Sequence, residues 1–264
     1  MLTEAKNQIR IMLLSIKYSI MRELMNKVSF FSNVFFMMAN NATFLVQWGV
    51  LFSIRNEFGG YSFKQVMLLW ALTSTIFGVS NFFFKNAHRL SPMITNGELD
   101  VYLVQPKSVL LSAITSDVSV SALGDILYGY VILFIYGISL KNFCLFTLFA
   151  ITGGLIYTAF VVLLGSLSFF IARADDIKEN GERLLINFST YPDGIFKGIV
   201  KIILYTIIPV GFSLYIPVHI FESFNIVLFL SVVFFVIGIV TLFIFVFYKG
   251  LKRYSSSSLM NVRV

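Results

Sequence analysis

Residues Ile226–Tyr248 read IVLFLSVVFFVIGIVTLFIFVFY, 23 positions without a charged side chain. A hydrocarbon core of about 30 Å is crossed by roughly 20 apolar residues in a helix. This stretch therefore belongs in a bilayer. The same reading applies to Val28–Ile54, Val66–Phe84, Val118–Leu140 and Phe143–Ala172. A sixth stretch, Ile199–Ile216, is weaker and is broken at Pro209. The pattern predicts an all-α polytopic membrane protein: six transmembrane helices in a single domain over residues 1–264, preceded by a surface helix.

Composition agrees. The chain is 58% hydrophobic and only 12% charged, against about 25% charged in soluble domains. No polar stretch is long enough for a separate soluble domain. The single cysteine, Cys144, excludes an internal disulfide. His88 and His219 lack any metal-ligand spacing and read as boundary residues. Residues 1–27 carry basic side chains throughout, with no uninterrupted apolar core, so a retained N-terminus is expected.

The net charge of +7 is distributed as a membrane orientation signal, not as a nucleic-acid surface. The N-terminal arm holds Lys6, Arg10, Lys17, Arg22 and Lys27. The second connection holds Lys85, Arg89 and Lys107, and the fourth holds Arg173, Lys178, Arg183 and Lys197. Lys249, Lys252, Arg253 and Arg263 follow the last span. The alternating connections hold only Arg55, Lys64 and Lys141. The positive-inside rule then predicts that both termini are cytoplasmic.

Within residues 1–27, Ile9, Met12, Leu13, Ile16, Ile20 and Leu24 follow helical spacing, with Gln8, Ser15, Ser19 and Asn26 opposite. This reads as an interfacial helix with snorkelling lysines, or as a helix packed on the protein's own cytoplasmic loops. Asn40, Asn41 and Gln47 fall inside the first span. Amides in lipid are costly unless paired, so they read as helix-pairing or path-lining residues. Asp117, Ser121 and Asp125 are spaced i, i+4 and i+8, which on one helix gives one face. Asp125 reads either as an inward-facing acid with a partner or as an interfacial one. Around Pro209, Gly211 and Pro217 the chain is expected to form a kinked span, or a span followed by a helix that dips back.

No phosphate-binding loop, nucleophile elbow or zinc-binding His-Glu-x-x-His motif is present in the sequence. Asp175-Asp176 sits among Lys178, Glu179, Glu182 and Arg183 and reads as a solvated charged loop. The segment Asn96-Gly97-Glu98-Leu99-Asp100-Val101-Tyr102-Leu103-Val104-Gln105-Pro106 has a defined pattern. Gly97 can begin a helix, acids occupy its first turn, and Pro106 ends it. Leu99 and Leu103 are predicted to form an apolar knob, suited to press into a groove on another protein or to lie on the membrane surface with no partner.

Gly97, Glu98, Leu99, Asp100, Leu103 and Pro106 resemble the loop after the second span in permease subunits of the ABC type-2 exporter family. Tyr191-Pro192-Asp193-Gly194-Ile195-Phe196 resembles a second signature, found in the small six-span branch often encoded beside an ATPase. The resemblance covers essentially the whole chain. It implies a coupling loop at Gly97–Asp100 and a cytoplasmic motif at Tyr191, Pro192, Ile195 and Phe196. It also implies a second permease subunit, an outer re-entrant element around Pro209–Pro217, and a translocation path lined by the first, second and fifth spans. The path would be in a bacterial plasma membrane. ATP and Mg would bind to a separate cytoplasmic ATPase, so no cofactor and no enzymatic activity are expected in this chain. Two other classes fit less well. A secondary transporter needs ion-coupling groups at the bilayer centre and often an internal repeat. A non-transporting scaffold fits everything except the coupling-loop resemblance.

Overall fold

The computed structural model describes residues 2–172 and 174–255; Arg173, Arg263 and most of the Ser255–Ser258 tail lie outside them. In chain order the helices are α1 (Leu2–Leu24), α2 (Lys27–Ile54), α3 (Phe63–Phe84), α4 (Leu90–Thr95), α5 (Asp100–Leu103), α6 (Val109–Ile114), α7 (Ala122–Gly137), α8 (Leu140–Ser166), α9 (Ala174–Ser189), α10 (Ile199–Thr206), α11 (Ile216–Glu222) and α12 (Ile226–Leu251). Among the described residues, four helical stretches are long and apolar enough to cross a membrane: Lys27–Ile54, Phe63–Thr95, Leu140–Phe169 and Ile226–Leu251. Short polar residues start them. Asn26, Ser139 and Asn225 cap α2, α8 and α12 by accepting N–H bonds from the first turn. At α3, Ser62 and Gln65 bond each other's backbone in a capping box.

α3 is the axis of the bundle. Its residues from Val66 to Phe82 are mostly buried, packed by α7 on one side and α8 on another. The approach of α7 depends on Gly129. A Cβ there would lie 1.8 Å from the Thr75 hydroxyl oxygen and 2.7 Å from the Ala71 carbonyl. α2 and α12 flank this core and leave long apolar faces open, including Phe31, Phe35 and Phe36 on α2 and Phe234, Ile237 and Phe245 on α12. Such faces are at home against lipid tails.

The bundle has two ends. One, the basic face, gathers α1, residues 85–117 and the end of α12: Gln8 Nε2 donates to Ser112 Oγ (3.2 Å), and the Ser108 and Tyr248 hydroxyls meet at 3.0 Å. The other, the far face, gathers residues 55–62, 190–201 and 216–225. Here Lys64 lies over the Tyr136 ring, and Tyr136 meets Phe221.

The geometry corrects four expectations. First, residues 174–196 are not a loop confined to the basic face. α9 starts there, with Lys178 Nζ donating to the His88 carbonyl, and rises until Gly194 touches Gly59. Tyr191, Pro192, Ile195 and Phe196, with Lys197, thus sit at the end opposite the one predicted. Second, Ile199–Ile216 is not a single span. α10 and the Gly211–Glu222 segment are bent by 75° at a break around Pro209, and both Lys201 and His219 reach Asp193 on the far face. The segment therefore starts and ends at the same end of the bundle. Pro209 has no N–H to continue the ladder. Third, α7 begins at Ala122, so Asp117 and Ser121 precede it and share no helical face with Asp125. Fourth, the apolar stripe of α1 is split: Ile16 and Ile20 pack against the cluster of Phe82, Val118, Val120 and Ala122 beside the buried Ser19, whereas Ile9, Leu13 and Leu24 are exposed.

Candidate functional site

Between α2, α3, α7 and α9 lies a chamber of about 300 Å³ whose lining is mostly apolar surface with a few polar groups. Asn41, buried on α2, donates from Nδ2 to Asp125 Oδ1 (2.6 Å) and to the Met37 carbonyl (3.0 Å). Trp70 Nε1 donates to the Asn41 carbonyl at 2.9 Å. An unpaired amide in an apolar medium costs several kcal/mol, about 4–8 on alkane scales. The Asn41–Asp125 bond avoids that cost for the amide and fixes α7 on α2. Asp125 is thus an inward-facing acid with a partner, one of the two readings its sequence position allowed. Ile186 and Thr190, at the end of α9 and just after it, close one side of the chamber. Gln47 is exposed on α2 and does not line it.

α9 carries a polar stripe. Asp176, Glu179, Asn180, Arg183 and Asn187 are spaced i, i+3, i+4, i+7 and i+11 and are all exposed. The opposite side is built in: Lys178 and Leu185 are buried. Glu182 bonds His88 Nδ1 (3.0 Å) and Lys178 Nζ (3.1 Å), which ties the start of α9 to the turn after α3. His88 is therefore part of a partly buried hydrogen-bonded network around the Lys178–Glu182 ion pair. Asp175-Asp176 opens α9, where acids oppose the helix dipole. Among the described residues, no three His, Cys, Asp or Glu side chains could hold a metal ion.

Asp117 and Ser121 lie at the basic face. Asp117 accepts from Lys85 Nζ (2.5 Å) and from Arg22 (3.1 Å), joining α1, α3 and the approach to α7. Partial burial alone would push this carboxyl up. The two cations and the Val118 N–H outweigh that and hold it below the ordinary value. Ser121 Oγ meets Ser119 Oγ at 3.0 Å.

The segment 96–106 forms a compact projection on the basic face. Gly97 takes φ 77°, a left-handed conformation that favours glycine. Arg89 pairs with Glu98 at 3.5 Å. The helix itself is only Asp100–Leu103, and Pro106 follows it exposed. Leu99 is fully buried in the core, so it belongs to no exposed knob. The outward apolar surface is instead Val101 (64% exposed), Leu103 (43%) and Val104 (85%). Burial, together with Asp100 beside it, pushes the Tyr254 phenol up to about 12.

On the far face, Asp193 is nearly inaccessible yet ionically tied. Lys201 Nζ and the Tyr205 hydroxyl each lie 3.1 Å from its Oδ2, and His219 Nε2 lies 3.6 Å from Oδ1. The Tyr61 hydroxyl meets the same His219 nitrogen at 3.3 Å. Burial works to raise the Asp193 carboxyl; His219, Lys201 and Tyr61 outweigh it and hold the group far below the usual carboxylate range. This clasp gathers the α2–α3 connection, the turn after α9, and both arms of the re-entrant hairpin. Sequence reasoning found Asp193 only as part of a motif and missed its partners. An acid flanked by Pro192 and Gly194 was the available signal.

The family model described as ABC-2 family transporter protein matches residues 37–258. The chain belongs to that family: it is a multi-pass membrane permease of an ABC transport system. No curated protein and no solved structure matches it.

Proposed function

We propose that this permease forms half of the translocation path of an ATP-driven exporter and is moved by a separate ATPase subunit that burns the nucleotide. The observation that carries the reading is the open polar stripe of α9. A helix that runs between both ends of an apolar bundle cannot face Asp176, Glu179, Arg183 and Asn187 to lipid without a large cost. Water in a path shared with a second permease subunit satisfies them. In this reading α2, α3, α7, α8, α9 and α12 are the six spans, and the basic face is cytoplasmic. Moving Lys197 to the far face leaves the basic excess strongly one-sided. The path runs along α2, α3 and α9, past the chamber. The Val101–Leu103–Val104 projection seats in a groove of the ATPase, and a rigid-body shift of the spans follows closure of that partner. The chain itself hydrolyses nothing. ATP and Mg stay with the partner, and the membrane is the plasma membrane of a bacterial cell.

The test is purification of the tagged chain from native membranes. Co-purification of an ABC ATPase and a second permease supports the reading, and ATP-dependent efflux from reconstituted vesicles that needs both completes it. Transport by the purified chain alone, without any ATPase, overturns it.

A further inference from the structure

The chamber beside Asn41 has a chemical bias. The donors around Asp125 are spent, while the Asn40 amide and one Asn81 amide hydrogen at the rim stay open among the described residues. Both amide hydrogens of Asn41 are taken by Asp125 and the Met37 carbonyl, and the Trp70 indole N–H is taken by the Asn41 carbonyl. The Thr73 hydroxyl bonds the Leu69 and Ser189 carbonyls, the Ser74 hydroxyl bonds the Ala71 carbonyl, and the Thr190 hydroxyl bonds the Asn187 carbonyl. What remains facing the space is one charged acceptor, the Asp125 carboxylate, with the neutral Asn40 and Asn81 amides. Asp125 Oδ2 takes no hydrogen bond among the described residues, because Asn41 reaches only Oδ1. The ion pairs among the described residues occupy Glu98, Asp117, Glu179, Glu182 and Asp193, and none involves Asp125.

A carboxylate at this depth, without a countercharge, calls for a cation. The rest of the lining says which kind. Phe44, Trp70 and Phe77 all border the space, with the Phe44 and Trp70 rings 4.2 Å apart. Aromatic walls plus one carboxylate suit a bulky alkylated ammonium, which has little need of hydrogen-bond acceptors and interacts with ring faces. A small hydrated metal ion would need several oxygen ligands instead. About 300 Å³ accommodates a trimethylammonium group and the start of its chain.

We propose that this chamber binds the ammonium headgroup of a cationic amphiphile, with Asp125 as its counter-ion and Phe44, Trp70 and Phe77 as its aromatic wall. The assignment of that amphiphile as cargo rests on the permease reading; the binding site does not. Two sources share the chemistry: a choline lipid of the bilayer and a free amphiphile in transit.

Trp70 reports on the site directly, because the chain has only one other tryptophan. Trp48→Phe leaves Trp70 as the sole indole. The full-length variant in phosphatidylglycerol nanodiscs is titrated with octyltrimethylammonium, octyl sulfate and 1-octanol. The expected result is saturable change in Trp70 emission with the ammonium alone, weakened about tenfold or more by adding Asp125→Asn. Asp125→Asn keeps the shape and an acceptor for Asn41, and comparison with it removes partitioning into the disc. Asp125→Glu, which keeps the charge, retains binding. Equal response to the three probes overturns the proposal, as does an unchanged affinity in Asp125→Asn with thermal unfolding intact. Weaker probe binding in phosphatidylcholine discs assigns the occupant to a lipid headgroup, and equal binding assigns it to a free amphiphile; either supports the ammonium site. The measurement uses neither ATP nor a partner, so it can fail while the permease reading stands, or succeed while that reading falls.

Discussion

Gly194 rests against Gly59: a Cβ built on Gly194 would lie 1.9 Å from the Gly59 carbonyl oxygen. Two backbones separated by most of the bundle's sequence meet here with no side chain between them. The contact makes residues 190–196 and 55–62 one surface, and so decides on which side of the membrane the Tyr191–Phe196 motif lies.

Gly194→Ala is therefore expected to destabilise the fold by about 1–3 kcal/mol, the usual range for overpacking. Gly238→Ala, where a Cβ meets nothing within 4 Å, serves as the control and should be near neutral. Thermal unfolding of the two variants in the same detergent checks this. Equal midpoints would remove the close contact.

The same contact makes a topological prediction. Cysteines placed at Asn56 and Lys197 should be labelled from the same side of intact cells by an impermeant thiol reagent, and one at Lys107 from the other, each in a Cys144→Ser background. Labelling of Lys197→Cys together with Lys107→Cys would return the motif to the basic face.

Exposed and buried residues of the 96–106 segment should separate cleanly. Val101→Asp with Val104→Asp changes only exposed positions and should leave stability within about 0.5 kcal/mol, while greatly reducing co-purification with the ATPase. Leu99→Asp removes a fully buried side chain and introduces a charge, so it should cost at least the 2–5 kcal/mol typical of deleting a buried leucine. Undiminished ATPase association in the double variant would take this surface out of the docking role.

Asp117 gives a pH prediction. Its carboxyl is held below the ordinary value by Lys85 and Arg22 against partial burial. A depressed carboxylate contributes stability above its unfolded pKa of about 3.9, and that contribution is lost as pH falls through the lower folded value. The pair is partly exposed, so the effect is screened to about 1 kcal/mol or less. Wild type should unfold at a higher temperature than Asp117→Asn at pH 7, with the gap closing below about pH 4. A gap that persists at pH 2 would rule out the ionic origin.

How much of this could be read from the residues alone follows from what each signal measures. α2, α3, α8 and α12 were legible because each is a long apolar run, and hydropathy reports length directly. α9 was not. Its exposed face carries Asp176, Glu179 and Arg183, which lower its hydropathy to that of a loop. Ile199–Ile216 reads as one run because apolarity does not tell whether a chain bends back at Pro209. Helical spacing paired Leu99 with Leu103, but it could not say which of them faces the core. The chemistry of Asn41 and Asp125 was visible at once as polar groups at membrane depth. Their pairing was not, since 84 residues separate them.

The composition of α9 also bears on how the polypeptide is made. In the proposed six-span reading α9 crosses the membrane, and a 16-residue segment bearing aspartates, glutamates and an arginine is then refused by the insertion machinery as a solitary helix, each such charge costing about 2.5–3.5 kcal/mol near its middle. It can enter only alongside neighbours already in place. A nascent chain released soon after Gly198 should therefore leave α9 stranded on the side of synthesis, and the hairpin and α12 that follow are what pull the last third of the molecule into register.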